Sequence, residues 1–299
     1  MPALNAANPI VTLLILTASL VVCSFFFGLV SKDYSWVDRM WSTAPIFYAW
    51  VYAVRGWFDP RLFIAAVIVT IWGLRLTYNF ARKGGYTGME DYRWPVLRKK
   101  IKSPIAWQLF NFGFISLFQI SLFLLFTLPL YRIFLEPGKA PAAGFYITAF
   151  FYLLFVVFET VADQQQWNFH KIKQAIAGGK PLPGGLTPRQ TDYANDAKDG
   201  YCRSGLFRLS RHPNYFGELA VWWTFYVMGS LHARDFLHWS LIGPLLLTLV
   251  FFGSTRFTEA ITLSKYPSYT DFQKSVSAVI PWFPLRRGAE KDAEIQPAE

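Results

Sequence analysis

Apolar runs of membrane-crossing length alternate with polar connections along this chain. Pro9 to Val30 and Ser103 to Tyr131 contain no charged residue. Each exceeds the roughly 20 residues needed to cross a hydrocarbon core. Ala140 to Phe158 and Phe236 to Thr255 are also long enough. Three weaker segments complete the set: Met40 to Val54, Leu62 to Ala81 (interrupted by Arg75) and Leu219 to Ala233. The pattern predicts an all-α integral membrane protein with about seven transmembrane helices. Residues 1–287 read as one multi-helix membrane domain without a repeat. The polar end, 288–299, reads as a disordered tail.

Composition agrees with the pattern. Only 16% of the 299 residues are charged and 53% are hydrophobic, whereas soluble domains carry about 25% charge. The first apolar run has no preceding Lys or Arg and is longer than a typical signal core, so it is expected to stay in the mature protein.

The net charge of +10 changes the picture only through its placement. Arg82 to Lys102 holds seven basic residues, Asp163 to Arg211 eight, and Arg256 onward six. Seven spans put all three regions on one side, which the positive-inside rule makes the cytoplasm. The N-terminus then lies outside and the C-terminus is cytoplasmic. This distribution explains the excess charge without nucleic acid. Cys23 falls inside the first span and Cys202 in a connection, so no disulfide is expected. The four histidines divide between opposite sides, so no metal site is expected either.

Polar residues gather at the cytoplasmic ends of the spans, where charge is expensive unless it meets water, head groups or a ligand. YSWVDRMW places Asp38 and Arg39 at the entry to the second span. In GLRLTYNFARKGG, Arg75, Asn79 and Arg82 share a helix face. Arg75 lies about two turns deeper than the cytoplasmic flank and needs either an ion-pair partner or a ligand. In FETVADQQQWNFH, Glu159, Asp163, Gln166 and His170 share a face of a fifth helix that could continue through Gln164 to Ala177. GGKPLPGGLTP beyond it is non-helical by its Gly and Pro content.

The last cluster is GLFRLSRHPNYFGE. Pro213 suits the first turn of a helix, which would align Asn214 with Glu218 and leave Arg208 and Arg211 just ahead of it. Free backbone N–H groups beside basic side chains form an anion site suited to phosphate. Glu218, one turn deeper, could accept hydrogen bonds from an amide or a sugar hydroxyl. No Walker loop or strand-borne GxGxxG is present, so a nucleotide would not bind through a Rossmann domain.

GLFRLSRHPNYFGE resembles the signature of the steroid 5-alpha-reductase C-terminal-like family, including its bacterial DUF1295 branch of membrane proteins. WVDRMW, LRLTYNFARK, EDYRW, ETVADQQ and RFTEAITLSKYPSYTDFQK resemble that branch in the same order, from Trp36 to Trp282. The resemblance implies a membrane reductase using NADPH to reduce a carbon–carbon double bond, commonly of an enone in a steroid-like or other apolar lipid. It implies that Asp163, Tyr201, Asn214 and Glu218 contact the cofactor. Arg208, Arg211, His212, Tyr215 and Arg256 become phosphate, ribose or local structural partners. Its substrate-polarising acid has no clear match; Asp38 is the nearest acid, and Tyr48 or Tyr78 could supply a phenol. The expected partners are an apolar substrate from the bilayer and membrane lipids, with the protein in a bacterial cytoplasmic membrane and its cofactor site facing the cytoplasm.

Two other readings fit the same residues. Membrane methyltransferases of the isoprenylcysteine carboxyl or phospholipid type resemble this chain in RHPxYxGE-like segments and use S-adenosylmethionine. A non-catalytic lipid-binding protein would have kept the fold without chemistry.

Overall fold

The computed structural model describes residues 8–136, 142–181 and 188–284. Every regular element among them is helical. α1 (Pro9–Ser31) starts where the Asn8 side chain accepts a hydrogen bond from the Ile10 amide at 3.0 Å. This cap satisfies one of the backbone donors left free at a helix start. α2 (Trp36–Trp41) and α3 (Ala44–Arg55) are separated at Ser42 and Thr43. Pro45 accounts for the break, because its ring collides with the carbonyl four residues earlier and it has no N–H to donate. α4 (Pro60–Arg82) is capped by Asp59.

α5 (Arg93–Lys100) precedes a long composite span made of α6 (Pro104–Phe110), a π-helical segment (Asn111–Phe118), α7 (Gln119–Thr127) and α8 (Pro129–Phe134). α9 runs 35 residues, Ala143–Ala177. It contains the helical continuation expected from Gln164 to Ala177. α10 (Pro188–Asp199), a 3-10 turn at Gly205–Arg208, and α11 (Pro213–Ala233) follow. α11 begins at the predicted proline. A 3-10 turn at Trp239–Leu241, α12 (Ile242–Lys265) and α13 (Tyr269–Ser275) end the described chain. The predicted tail, 288–299, lies outside the described residues.

Among the described residues, five helices are long and apolar enough to cross a membrane: Pro9–Ser31, Pro60–Arg82, Pro104–Phe134, Ala143–Ala177 and Trp239–Lys265. The remaining two predicted spans take other forms. Met40 to Val54 falls on the broken α2–α3 pair, and the 12 residues of α3 rise only about 18 Å. α11 has 21 residues, but its first turns carry Asn214 and Glu218.

The chain packs as two compact units. One comprises Met1–Val156 with Leu219–Leu249, and the other Val157–Glu218 with Val250–Glu299. The core of the first is aromatic. Trp222 lies 4.1 Å from the Phe126 ring and 4.8 Å, edge to face, from Trp72. Both Trp72 and Trp222 are fully buried. Among its described residues the second unit has two small cores. One groups Phe169, Ile172, Tyr193, Cys202 and Phe207; the other groups Tyr201, Tyr269, Phe272 and Val276.

Candidate cofactor site

The second unit holds all the residues implied as cofactor contacts. Within it, α9 contributes Glu159 and Asp163 one turn apart, both buried. Gln166 is half-buried and His170 exposed, so the predicted polar face passes from interior to solvent along the helix. The start of α11 meets α9 at Gly217. A Cβ there would stand 2.6 Å from the Cβ of Glu159. Only a residue without a side chain permits that approach. The next residue, Glu218, is buried, and Asn214 one turn earlier is half-buried. Buried acids are costly unless they are paired or hydrogen-bonded. Glu159 and Glu218 are thus both buried on helices that touch at Gly217, with Asp163 buried one turn further along α9.

The loop before α11 is pinned rather than loose. The amides of Arg211 and His212 donate to the carbonyls of Ser277 and Ala278 at 2.9 and 3.0 Å. The Ser210 hydroxyl donates to the Val279 carbonyl at 2.7 Å. This holds the entry to α11 in place. Tyr215 stacks on His212 at 4.9 Å and meets Phe251 edge-on at 4.9 Å.

Arg211 and His212 both engage Glu259. Arg211 Nε donates to Glu259 Oε1 at 2.7 Å and Nη2 to Oε2 at 3.1 Å, while Nη1 serves the Gln273 and Val276 carbonyls. His212 Nε2 lies 3.0 Å from Glu259 Oε1. Gln273 and Tyr269 also donate to that carboxylate, at 2.8 and 3.3 Å. Burial and the charge of Glu259 push the Tyr269 phenol well above its ordinary range.

Tyr201 also has a local partner: its hydroxyl donates to the Ser268 carbonyl at 3.3 Å and its ring stacks on Phe272 at 5.5 Å. Arg208 and Arg256 are exposed, the latter lying 4.3 Å over the Phe252 ring.

Sequence reasoning passed over Glu259, Gln165, Lys173 and Asp196. Gln165 accepts the Leu206 amide at 2.8 Å, and buried Asp196 accepts the amides of Arg203 and Ser204. Lys173 donates to the Gly200 carbonyl at 2.6 Å and the Tyr266 hydroxyl at 2.9 Å. Glu259 had a readable signal, an acid on the polar continuation of an apolar helix. The others lie in stretches where polar residues are ordinary.

The three residues considered for substrate polarisation belong to the first unit and have different surroundings. Tyr48 is fully buried, with its hydroxyl 2.8 Å from that of Thr17. Tyr78 is 67% exposed beneath the Arg82 guanidinium, so it faces away from the interior. Asp38 accepts from the Trp94 indole at 2.9 Å and pairs with Arg93 at 3.2 Å.

Asp38 precedes the span predicted from Met40. Burial, aided by Asp91, pushes its carboxyl from 3.8 up to about 6, against Arg93 and hydrogen bonds from Trp94 and Ser35. A raised carboxyl pKa means the folded form holds the proton where the unfolded chain has lost it. Stability therefore falls as pH rises from about 4 to about 6. Asp38→Asn should remove that slope, so wild type loses stability relative to the variant across the window. Chemical unfolding at stepped pH checks this; a constant difference would contradict it.

A family profile described as a protein of unknown function, DUF1295, matches residues 24–276. The chain is 35% identical over 283 residues to an uncharacterized protein of Schizosaccharomyces pombe, covering 92% of this chain and 80% of the relative. No solved structure matches. The profile takes in the Asp38 cluster, the α9 acids, the α11 entry and Glu259. The chain therefore belongs to the DUF1295 family of proteins of unknown function.

Proposed function

We propose that this protein is a membrane-embedded NADPH-dependent reductase of a carbon–carbon double bond in an apolar lipid, with the cofactor held by the second unit. One observation carries the reading: α9 and the start of α11 touch at Glu159 and Gly217, and buried Asp163 and Glu218 lie one turn and one residue away along the two helices. Buried carboxylates suit the hydroxyl and amide donors of ribose and nicotinamide amide. The N-terminus of α11, with exposed Arg208 nearby in sequence, suits phosphate oxygens. Arg256 adds exposed positive charge to the same unit. Arg211 and His212 would act indirectly, by fixing the helix entry through Glu259.

The bound nucleotide would supply the reducing equivalents, and the chain would bind, orient and exclude water. The likeness of GLFRLSRHPNYFGE to steroid 5-alpha-reductase-type sequences supports the same reaction class. In this reading Met40 to Val54 and α11 join the five long helices to make seven crossings. The basic connections then put the second unit in the cytoplasm.

A thermal-shift experiment in detergent separates this reading from a methyltransferase. Millimolar NADPH should raise the midpoint in a concentration-dependent way, because a ligand specific to the native state stabilises by mass action. S-adenosylmethionine should leave it unchanged. A shift with S-adenosylmethionine alone would turn the assignment to methyl transfer.

A further inference from the structure

We infer that the first unit carries a specific site for an anionic phospholipid in the groove between α1 and α3, a role separate from the proposed reaction. The two helices are joined on one side by the buried contact of Thr17 with Tyr48. On another side they part to leave a groove of about 450 Å³. Leu16 and Leu20 of α1 face Phe47, Val51 and Val54 of α3 across it. These side chains offer an acyl chain an apolar bed and nothing to hydrogen-bond.

The ends of the groove differ chemically. Arg55 is the only charged residue lining it. Its Nη2 donates to Thr12 Oγ1 at 3.2 Å, and no carboxylate pairs with it among the described residues. An exposed guanidinium with most of its donors turned outward is a receptor for a phosphate group. Trp57, 93% exposed, and Phe58 follow it in the turn between α3 and α4, and such aromatics sit at membrane–water boundaries.

An uncharged chain would satisfy the groove and leave Arg55 without an anion. A phospholipid with a net negative head group satisfies both: its acyl chain lies along Leu20 and Val51, and its phosphate accepts from Arg55.

Native mass spectrometry of the delipidated full chain, titrated with phosphatidylglycerol or with diacylglycerol, which has the same chains and no phosphate, tests the site. Wild type should bind one phosphatidylglycerol at least about tenfold more tightly than diacylglycerol, the size of one added charge-assisted contact. Arg55→Gln should erase that preference. Val51→Trp, which fills the groove, should weaken both lipids. Val22→Trp on the exposed face of α1 should change neither. Leu16→Trp replaces Val51→Trp if the latter fails to elute as a monodisperse species. Equal affinity of wild type for the two lipids, or undiminished phosphatidylglycerol binding with the groove filled, would overturn the proposal.

Discussion

Glu259→Ala should destabilise the second unit by about 3–5 kcal/mol, the usual effect of removing one partner from a buried ion pair. The carboxylate gathers Arg211, His212, Gln273 and Tyr269. Both charged side chains are about nine-tenths buried, at 9% and 10% exposure. Alanine leaves the Arg211 cation facing only the Gln273 and Val276 carbonyls. Glu259→Gln keeps an acceptor and should be milder. Because Arg211 braces the entry to α11, the loss should also expose this region to protease. Urea unfolding followed by limited proteolysis measures both. A loss below about 1 kcal/mol, the level of an exposed pair, would show that the network contributes little.

Asp59→Ala should have an effect of similar size in the first unit. Arg61 is fully buried. Its Nε and Nη2 donate to the two Asp59 oxygens at 2.8 and 2.7 Å. Nη2 also reaches the Glu136 carbonyl at 2.7 Å, and Nη1 lies 2.8 Å from His232 Nε2. Asp59 also caps α4 by accepting the Arg61 amide at 3.0 Å. The variant loses an ion-pair partner worth about 3–5 kcal/mol and a cap worth about 1 kcal/mol. Replacing the pair together, as Asp59→Leu with Arg61→Met, should recover most of that, since no isolated charge remains. Thermal unfolding of the single and double variants decides it. A double variant as unstable as the single would place the cost in the cap and loop instead.

The helices were legible where the sequence acts locally. The start of α11 at Pro213, the passage of α9 beyond Phe158, and the long apolar spans each follow from proline position or apolar run length. The fates of the polar residues were not, because their partners are distant in sequence. Arg211 meets Glu259 from 48 residues away, Asp38 meets Trp94 from 56, and Arg61 meets His232 from 171. Helical periodicity identifies the face a residue occupies and says nothing of what that face touches. Arg211 and His212 therefore read equally well as ligand contacts or braces, and nothing local in the sequence pairs them with Glu259. The division of α2 from α3 was legible in Pro45 in hindsight, but an apolar run masks such a break. The π-helical turn at Asn111–Phe118 has no comparable local mark.

The central claim is that the second unit holds NADPH at the α9–α11 meeting. Its most direct test is a titration of the purified protein with NADPH, read from nicotinamide fluorescence, for wild type, Asn214→Ala and Glu218→Ala. The account predicts saturable binding in wild type, weakened by about tenfold or more in each variant, as removal of a buried hydrogen-bond partner implies. Folded wild-type protein that shows no saturable response, or variants that bind as wild type does, would contradict it.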